Sequence, residues 1–432
     1  MKKIKILVIT YLPWRDDNNI GNSYSNIFKG TEDKYEFAHI YVRDGLPQNS
    51  ICKEYYHISE KKLIKSIIKR NIKVGEYIHF EDASVTPQDT FSKVYNIARL
   101  LRWQFFLLVR ELCELNTAWK TQDFDNFIDK FNPDIVFGTM PDEALTHRLM
   151  AYVRSKKNIP VVTYPWDDYY SLEHTSINPF FWIRKLMSRH FLKKSAAISS
   201  YLYVITNLMK EEYEAIFKKD CKLLFKGHSF DKKNFVVRTH HAPFNLVYMG
   251  NIGQGRWKTL AELAKSIKKV NDSFGKQIFI LNVYTLSPKN QEITKKINIK
   301  DAARLNDAVP NDKVQVIMDN ADILVHAEPF KKSDYQFYRA SFSTKLVDYF
   351  YAAKCILAIG GITASTDYLK RNDAAICVTE REKITDTLTM IANNPQILTD
   401  YSERSWHCGV QNHQIKDIQD RMYNDFKKLI NI

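Results

Sequence analysis

The 432-residue chain has only six cysteines, Cys52, Cys113, Cys221, Cys355, Cys377 and Cys408, and no Cys-x-x-Cys pair among them. A zinc site or disulfide framework needs tighter grouping, so this scatter predicts reduced, mostly buried thiols. The twelve histidines, His240 and His241 included, show no i, i+4 metal pattern with a carboxylate. No apolar run reaches the ~18 uninterrupted residues expected of a spanning helix. Short-period repeats and low-complexity tracts are also missing. Acidic residues are in deficit, 49 Asp and Glu against 63 Lys and Arg, which leaves a formal charge of +14. Such an excess attracts anions: nucleotides, phosphorylated acceptors, nucleic acid or an acidic membrane face. Its dispersal, without clustered bases and interleaved aromatics, argues against nucleic acid.

The length suggests two domains rather than one core. Short β-branched or aromatic runs alternate with helical patterns, the signature of parallel sheets wrapped by helices. Strands are expected at Ile4–Thr10, Phe37–Val42, Asp134–Gly138, Pro160–Tyr164 and Tyr201–Thr206. A second set is expected at Asn245–Met249, Gln277–Val283, Asp322–His326, Cys355–Ile359 and Ala374–Val378. The aperiodic stretch Asp231–Phe244 marks the expected boundary. The apolar run at the N-terminus is too short for a signal peptide and reads as the first strand, which points to an intracellular chain. Two segments, Ala98–Leu115 and Pro179–Lys194, mix large apolar side chains with Arg and Lys. Each reads either as a basic amphipathic helix at a membrane surface or as a helix packed on its own sheet.

The most informative stretch is Asn245–Lys258, in which an apolar strand runs into Gly250, Asn251, Gly253 and Gly255 and then into a helix opening at Arg256 and Lys258. Glycines let a backbone approach a ligand closely, and the free N–H groups of a helix start favour phosphate oxygens. Arg256 and Lys258 would add charge-assisted contacts to a diphosphate. The G-x-G-x-x-G spacing is missing, which counts against a dinucleotide site; the alternative reading is a tight turn with solvated bases. About ninety residues on, Asp322–Glu328 reads as a strand presenting a carboxylate at its C-terminal end. Then Ser343, Thr344, Lys345 and Asp348 form a helix start with two hydroxyls expected to cap it, a cation and an acid on one face. Either these bind donor phosphates and ribose, or they are a capped surface helix with a Lys–Asp pair.

Together these residues resemble the C-terminal domain of GT-B fold glycosyltransferases, of the retaining glycosyltransferase family 4, or group 1, type. Tyr248-Met249-Gly250-Asn251 with Gly255-Arg256-Trp257 is similar to that family's first C-domain strand and phosphate loop. Ser343-Thr344-Lys345-Leu346-Val347-Asp348-Tyr349, followed by Ile356-Leu357-Ala358, is similar to its donor-binding helix and next strand. Asn132–Phe137, Ile159–Val162 and Cys221–Asp231 resemble N-domain strands and the segment before the linker. The likeness runs in order over most of the chain and is weakest over 45–125.

The resemblance implies an α/β chain of two Rossmann-like domains facing a central cleft, with the C-terminal helix crossing back to the N-domain. Residues 1–232 would bind the acceptor and 233–404 the nucleotide-sugar donor, with 405–432 packing back on the first. It implies transfer of a sugar from a nucleotide-diphosphate sugar to a glycan, lipid-linked or protein acceptor, a hexosyltransferase-type step in surface polysaccharide or glycoconjugate assembly. It implies no cofactor and no metal, in the cytoplasm or peripherally on the inner membrane face. The family's paired glutamates fall here on Ala340 and Asp348, and Glu328 could supply the missing carboxylate from the neighbouring strand end. In the first half, Gly21 and Trp166 are candidates for the sugar and acceptor cleft. Asp167 or Asp168 could orient or deprotonate an acceptor hydroxyl, or cap the next helix. Rival readings are a nucleotide-sugar epimerase of the same fold and a basic membrane- or nucleic-acid-binding module.

Overall fold

The computed structural model describes residues 2–17, 19–69, 71–79, 104–232 and 235–431. The chain divides into two compact units, Met1–Leu224 with Ile418–Ile432, and Phe225–Asp417.

Among the described residues the first unit is built on eight strands: β1 (Ile4–Thr10), β2 (Tyr35–Tyr41), β3 (Glu54–Ile58), β4 (Gly75–His79), β5 (Ile135–Thr139), β6 (Val161–Tyr164), β7 (Tyr201–Val204) and β8 (Cys221–Leu223). Their spatial order is β4-β3-β2-β1-β5-β6-β7-β8, parallel throughout except for the antiparallel β3–β4 pair. β1 is buried along almost its whole length, because helices cover both faces of a parallel sheet and a strand inside it must be apolar on both sides. Leu7, Ile9, Ala38, Ile40, Phe127, Val136 and Leu149 belong to one core between that sheet and its helices.

The second unit has six parallel strands: β9 (Phe244–Met249), β10 (Phe279–Thr285), β11 (Ala303–Asp307), β12 (Ile323–Ala327), β13 (Cys355–Ile359) and β14 (Ile376–Val378). They lie in the order β11-β10-β9-β12-β13-β14, the doubly wound pattern with its reversal between β9 and β12. Leu246, Leu263, Ile267, Leu281, Val325 and Leu357 anchor its core.

Both sheets are of the Rossmann type expected from the alternating pattern. Four strands escaped that reading, among them the short β8, whose segment entered only through the resemblance. β3 and β4 fall in 45–125, and β4 is the antiparallel edge strand. β11 (Ala-Arg-Leu-Asn-Asp) closes the other sheet at its edge, where polar side chains stay exposed and hide the strand pattern.

The change of unit falls between residues 224 and 225, before the aperiodic stretch. Phe225 packs on Phe342 and His413 at centroid distances of 5.4 and 5.1 Å, and Phe230 on Trp406 at 5.2 Å. These aromatic contacts tie 225–232 and 405–417 to the second unit. The last helix, Ile415–Leu429, carries residues 418–432 back to the first. There Phe426 is buried against Tyr35, Phe137 and Tyr203, and Asp420 pairs with Lys34 at 2.7 Å.

Pro179–Ile198 is a helix that buries Phe181, Leu192 and Ala196 against its own unit. Of the segment Ala98–Leu115, residues 98–103, Arg102 among them, lie outside the described residues; Gln104–Cys113 is a helix. Among the described residues no helix is long and apolar enough to cross a membrane.

Candidate functional site

In an open α/β sheet, ligands bind beyond the C-terminal strand ends where the strand order reverses. In the second unit that point is the end of β9 beside β12. The loop leaving β9 turns at Gly250 (φ +148°) and Gly255 (φ +89°), conformations that side-chain-bearing residues rarely adopt. Gly255 occupies the N-cap position of the helix Arg256–Ser273. Between them the Asn251 side chain organises the loop. Its Oδ1 accepts from the Gly253 N–H at 2.6 Å and from the Ser287 hydroxyl at 2.9 Å.

A methyl group on Gly250 would overlap Lys345 Nζ. Lys345 begins the helix Lys345–Ala352, donates to the Met249 carbonyl at 3.0 Å and stands 5.4 Å from the Tyr248 ring centroid. Desolvation in this recess, then repulsion from Arg256, draws its pKa down to about 8, with Glu328 and Asp348 pulling the other way. Its side chain still meets solvent, which moderates that shift and leaves the ammonium accessible.

Arg256 makes a two-point pair with Glu328, Nε to Oε2 at 3.1 Å and Nη2 to Oε1 at 3.3 Å, and lies 4.3 Å from the Tyr338 ring centroid. Burial opposes its charge, but Glu328 and two phenols outweigh that and hold its pKa above the ordinary value. Glu328 itself is only 4% exposed. Burial pushes its pKa up against the pull of Arg256 and Lys345. Its backbone is fixed by bonds to Ile359 and to the Thr259 hydroxyl, each 2.8 Å. His326, also buried, holds Nε2 3.7 Å from Glu328 with no hydrogen-bond partner. Burial first, then Lys345 and Arg256, lower its pKa to about 3, so this imidazole is neutral.

Gly250, Asn251, Arg256, Glu328 and Lys345 are therefore gathered at one strand edge. Other candidates are engaged elsewhere. Lys258 pairs with Asp334 at 3.3 Å. Both oxygens of Asp348 accept from Lys226, at 2.7 and 2.9 Å, and His228, stacked on Tyr351, approaches at 3.6 Å. Thr344 occupies the cap position in helical backbone conformation, and its hydroxyl makes no capping bond; a capping side chain needs extended backbone to reach the first turn. The Ser343 N–H donates to the Ser365 hydroxyl at 2.9 Å.

Beside Gly250 opens a recess of about 620 Å³ between the loops after β10 and β11, lined by Ile252, Thr285, Leu286, Pro288, Val309 and Val314 among others. The sequence reading missed it, together with His326, Tyr248 and Tyr338. Leu286, an apolar side chain 91% exposed directly beyond a strand end, is the signal that could have found it.

In the first unit, a side chain on Gly21 would overlap the Arg15 backbone, so the chain's own loop fills that space. Trp166 packs on Tyr164 and Tyr24, at 4.7 and 5.6 Å. Asp168 is buried and accepts from the N–H groups of Tyr170 and Ser171, at 3.2 and 2.9 Å, closing a turn; Asp167 is partly exposed beside it. A group of carboxyls that the sequence did not single out lies near the ends of β1, β3 and β5. Arg110 is 3.4 Å from Glu60, 3.8 Å from Glu114 and 3.9 Å from Glu143, and Tyr11 donates to Glu60 at 2.9 Å. Burial raises Glu114 to about 8.

No protein-family model matches the sequence, and no curated protein matches it. Solved structures do match in fold. Sucrose-phosphate synthase from Thermosynechococcus elongatus is 8% identical, with the whole of both chains covered and a TM-score of 0.63. WaaG, a glycosyltransferase involved in lipopolysaccharide biosynthesis, is 11% identical over 98% of this chain and 99% of its own, with a TM-score of 0.55. A Listeria monocytogenes protein assigned as a UDP-N-acetylglucosamine 2-epimerase is 10% identical over 99% of this chain and 96% of its own, with a TM-score of 0.52. At these identities the likeness speaks to architecture alone, and the chain has the two Rossmann-like units of the GT-B fold.

Proposed function

We propose that the chain is a glycosyltransferase that moves a sugar from a nucleotide-diphosphate sugar to an acceptor hydroxyl, with the donor on the second unit and the acceptor on the first. The observation that carries this reading is the juxtaposition at the end of β9. A loop kept open by Gly250 faces a solvent-accessible ammonium at Lys345, with Arg256 fixed nearby and an apolar recess alongside. A diphosphate suits the cations and the loop N–H groups, and a flat base suits the recess.

Breaking the sugar–phosphate bond builds negative charge on the departing diphosphate. Lys345 and Arg256 stabilise that charge more in the transition state than before it, which is how they would accelerate transfer. Glu328, already held by Arg256, acts in this reading chiefly by fixing the guanidinium. In a retaining front-face route the departing phosphate oxygen takes the acceptor's proton, so Ala340 needs no carboxylate. An inverting route needs a base, for which Asp167 and Asp168 are the candidates; Asp168 also accepts from the N–H groups of its own turn. No metal or cofactor enters the proposal. The acceptor would be a glycan, a lipid-linked glycan or a protein in surface polysaccharide or glycoconjugate assembly.

The same fold in a protein assigned as a UDP-N-acetylglucosamine 2-epimerase favours a second reading, isomerisation of the donor sugar without an acceptor. A thermal-shift screen of nucleotide sugars tests the common step, since a ligand of the folded form raises the melting temperature. Product analysis then separates the two. A new glycosidic linkage supports transfer, whereas an epimer and free nucleotide without any acceptor product would replace it with epimerisation.

A further inference from the structure

The carboxylates that act on the Lys345 ammonium are Glu328 and Asp348, so both are candidates for the ribose of a nucleotide held there. A carboxylate is the usual acceptor for ribose hydroxyls at such a sheet edge, because its two oxygens can take both protons. Neither is open to that use. Glu328 is buried and holds Arg256 with both oxygens. Asp348, one turn into the helix that Lys345 begins, accepts from the Lys226 ammonium with both of its own, at 2.7 and 2.9 Å. His228 approaches from the same segment, Nε2 to Oδ1 at 3.6 Å. Burial works against the Asp348 charge, but His228 and Lys226 outweigh it and hold its pKa below the usual carboxylate value. Asp334, against Gly255, is taken by Lys258.

Lys226 is not a loose tip that a ligand could push aside. The His413 imidazole donates to the Lys226 carbonyl at 3.1 Å and accepts from the Tyr368 hydroxyl at 2.9 Å. Two residues on, the His228 N–H donates to the His413 carbonyl at 2.8 Å, and its carbonyl accepts from Ile415 at 3.0 Å. On the other side Phe225 packs on Phe342 and His413. The Lys226 side chain is only 13% exposed. Drawing Asp348 away to a ribose would leave that cation buried without its counter-ion, a loss larger than the gain from bonds to neutral hydroxyls.

We infer that Lys226 sets the class of nucleotide: by occupying Asp348 it removes the carboxylate that would demand a ribose 2′-hydroxyl, so the site takes 2′-deoxyribonucleoside diphosphates as readily as their ribo counterparts. This specificity rests on the diphosphate cradle proposed above.

Calorimetric titration of the full chain with the ribo and 2′-deoxy forms of uridine, cytidine, adenosine and guanosine diphosphate tests it. For each base that binds, the two forms should agree within about threefold. Lys226→Met, folded as judged by circular dichroism, frees Asp348 and should come to prefer the ribo form by at least about fivefold. Lys226→Met with Asp348→Asn should lose that preference again. Should Lys226→Met fail to fold, Asp348→Asn decides, since its ratio of ribo to deoxy affinity should match the parent's. A parent that prefers the ribo form by more than about threefold overturns the inference and leaves the diphosphate cradle standing. So does a folded Lys226→Met with no new preference, or an Asp348→Asn chain in which ribo binding alone is weakened. If no diphosphate binds at all, the cradle and this specificity fall together.

Discussion

The loop after β1 and the loop after β9 occupy the same topological place, each leaving the first strand of its sheet at the point where strand order reverses. They differ in what fills them. After β1, the Arg15 backbone occupies the space beside Gly21, Arg15 pairs with Asp17 and Gln48, and the Trp14 indole donates to Ser25. After β9, the space beside Gly250 holds only the tip of a solvent-accessible lysine. A glycine therefore says that something comes close. Only the neighbour shows whether that is the protein's own backbone or a position open to a ligand.

That contrast can be broken by substitution. Gly21→Ala should be the most damaging to the fold, because its methyl meets backbone that cannot swing away; a loss of about 3 kcal/mol is expected in denaturant unfolding. Nucleotide affinity per folded molecule should be unchanged. Gly250→Ala displaces a flexible lysine tip and strains a positive φ, so stability should fall by only about 1 kcal/mol while nucleotide-diphosphate affinity drops sharply in calorimetric titration.

The Arg256–Glu328 pair sharpens the same point, since here one side chain serves both fold and ligand. Arg256→Ala should abolish most donor binding and also cost about 3 kcal/mol of stability, because it strands a buried carboxylate. Adding Glu328→Gln should recover much of the stability and none of the binding. If the double variant bound nucleotide like the parent, Arg256 would be structural only.

The smallest effect is one of pH. Desolvation and Arg256 draw the Lys345 pKa down toward about 8, so its charge is lost at lower pH than that of an ordinary lysine. An anionic ligand favours the charged form, so affinity should be flat below pH 8 and decline above it, by at most about tenfold per pH unit. The decline should be missing in Lys345→Ala.

How far the sequence revealed the site follows from what spacing can encode. An apolar strand running into glycines and then a basic helix start marked Gly250 and Arg256 in the sequence, and a separate helix start marked Lys345. Counter-ions are another matter. Nothing in the chain order marks Lys226 as the partner of Asp348, 122 positions away, or Glu328 as the partner of Arg256, 72 positions away. Those pairs depend on which strand ends the sheet order brings together. Ser343 and Thr344 read as caps by residue type, yet the backbone at Thr344 is already helical. The recess escaped notice because its walls come from two loops, Thr285–Pro288 and Ala308–Val309, that touch only once β10 and β11 are paired. Edge strands such as β11 were hidden by polarity that a central strand would not tolerate.

The most direct test is calorimetric titration of the parent and of Lys345→Ala with a panel of nucleoside diphosphates and the matching monophosphates. At least one diphosphate should bind the parent well ahead of its monophosphate, and Lys345→Ala should bind it at least about tenfold more weakly with an unchanged melting temperature. Equal affinity in parent and variant, or no preference for the second phosphate, would contradict a diphosphate cradle at the end of β9.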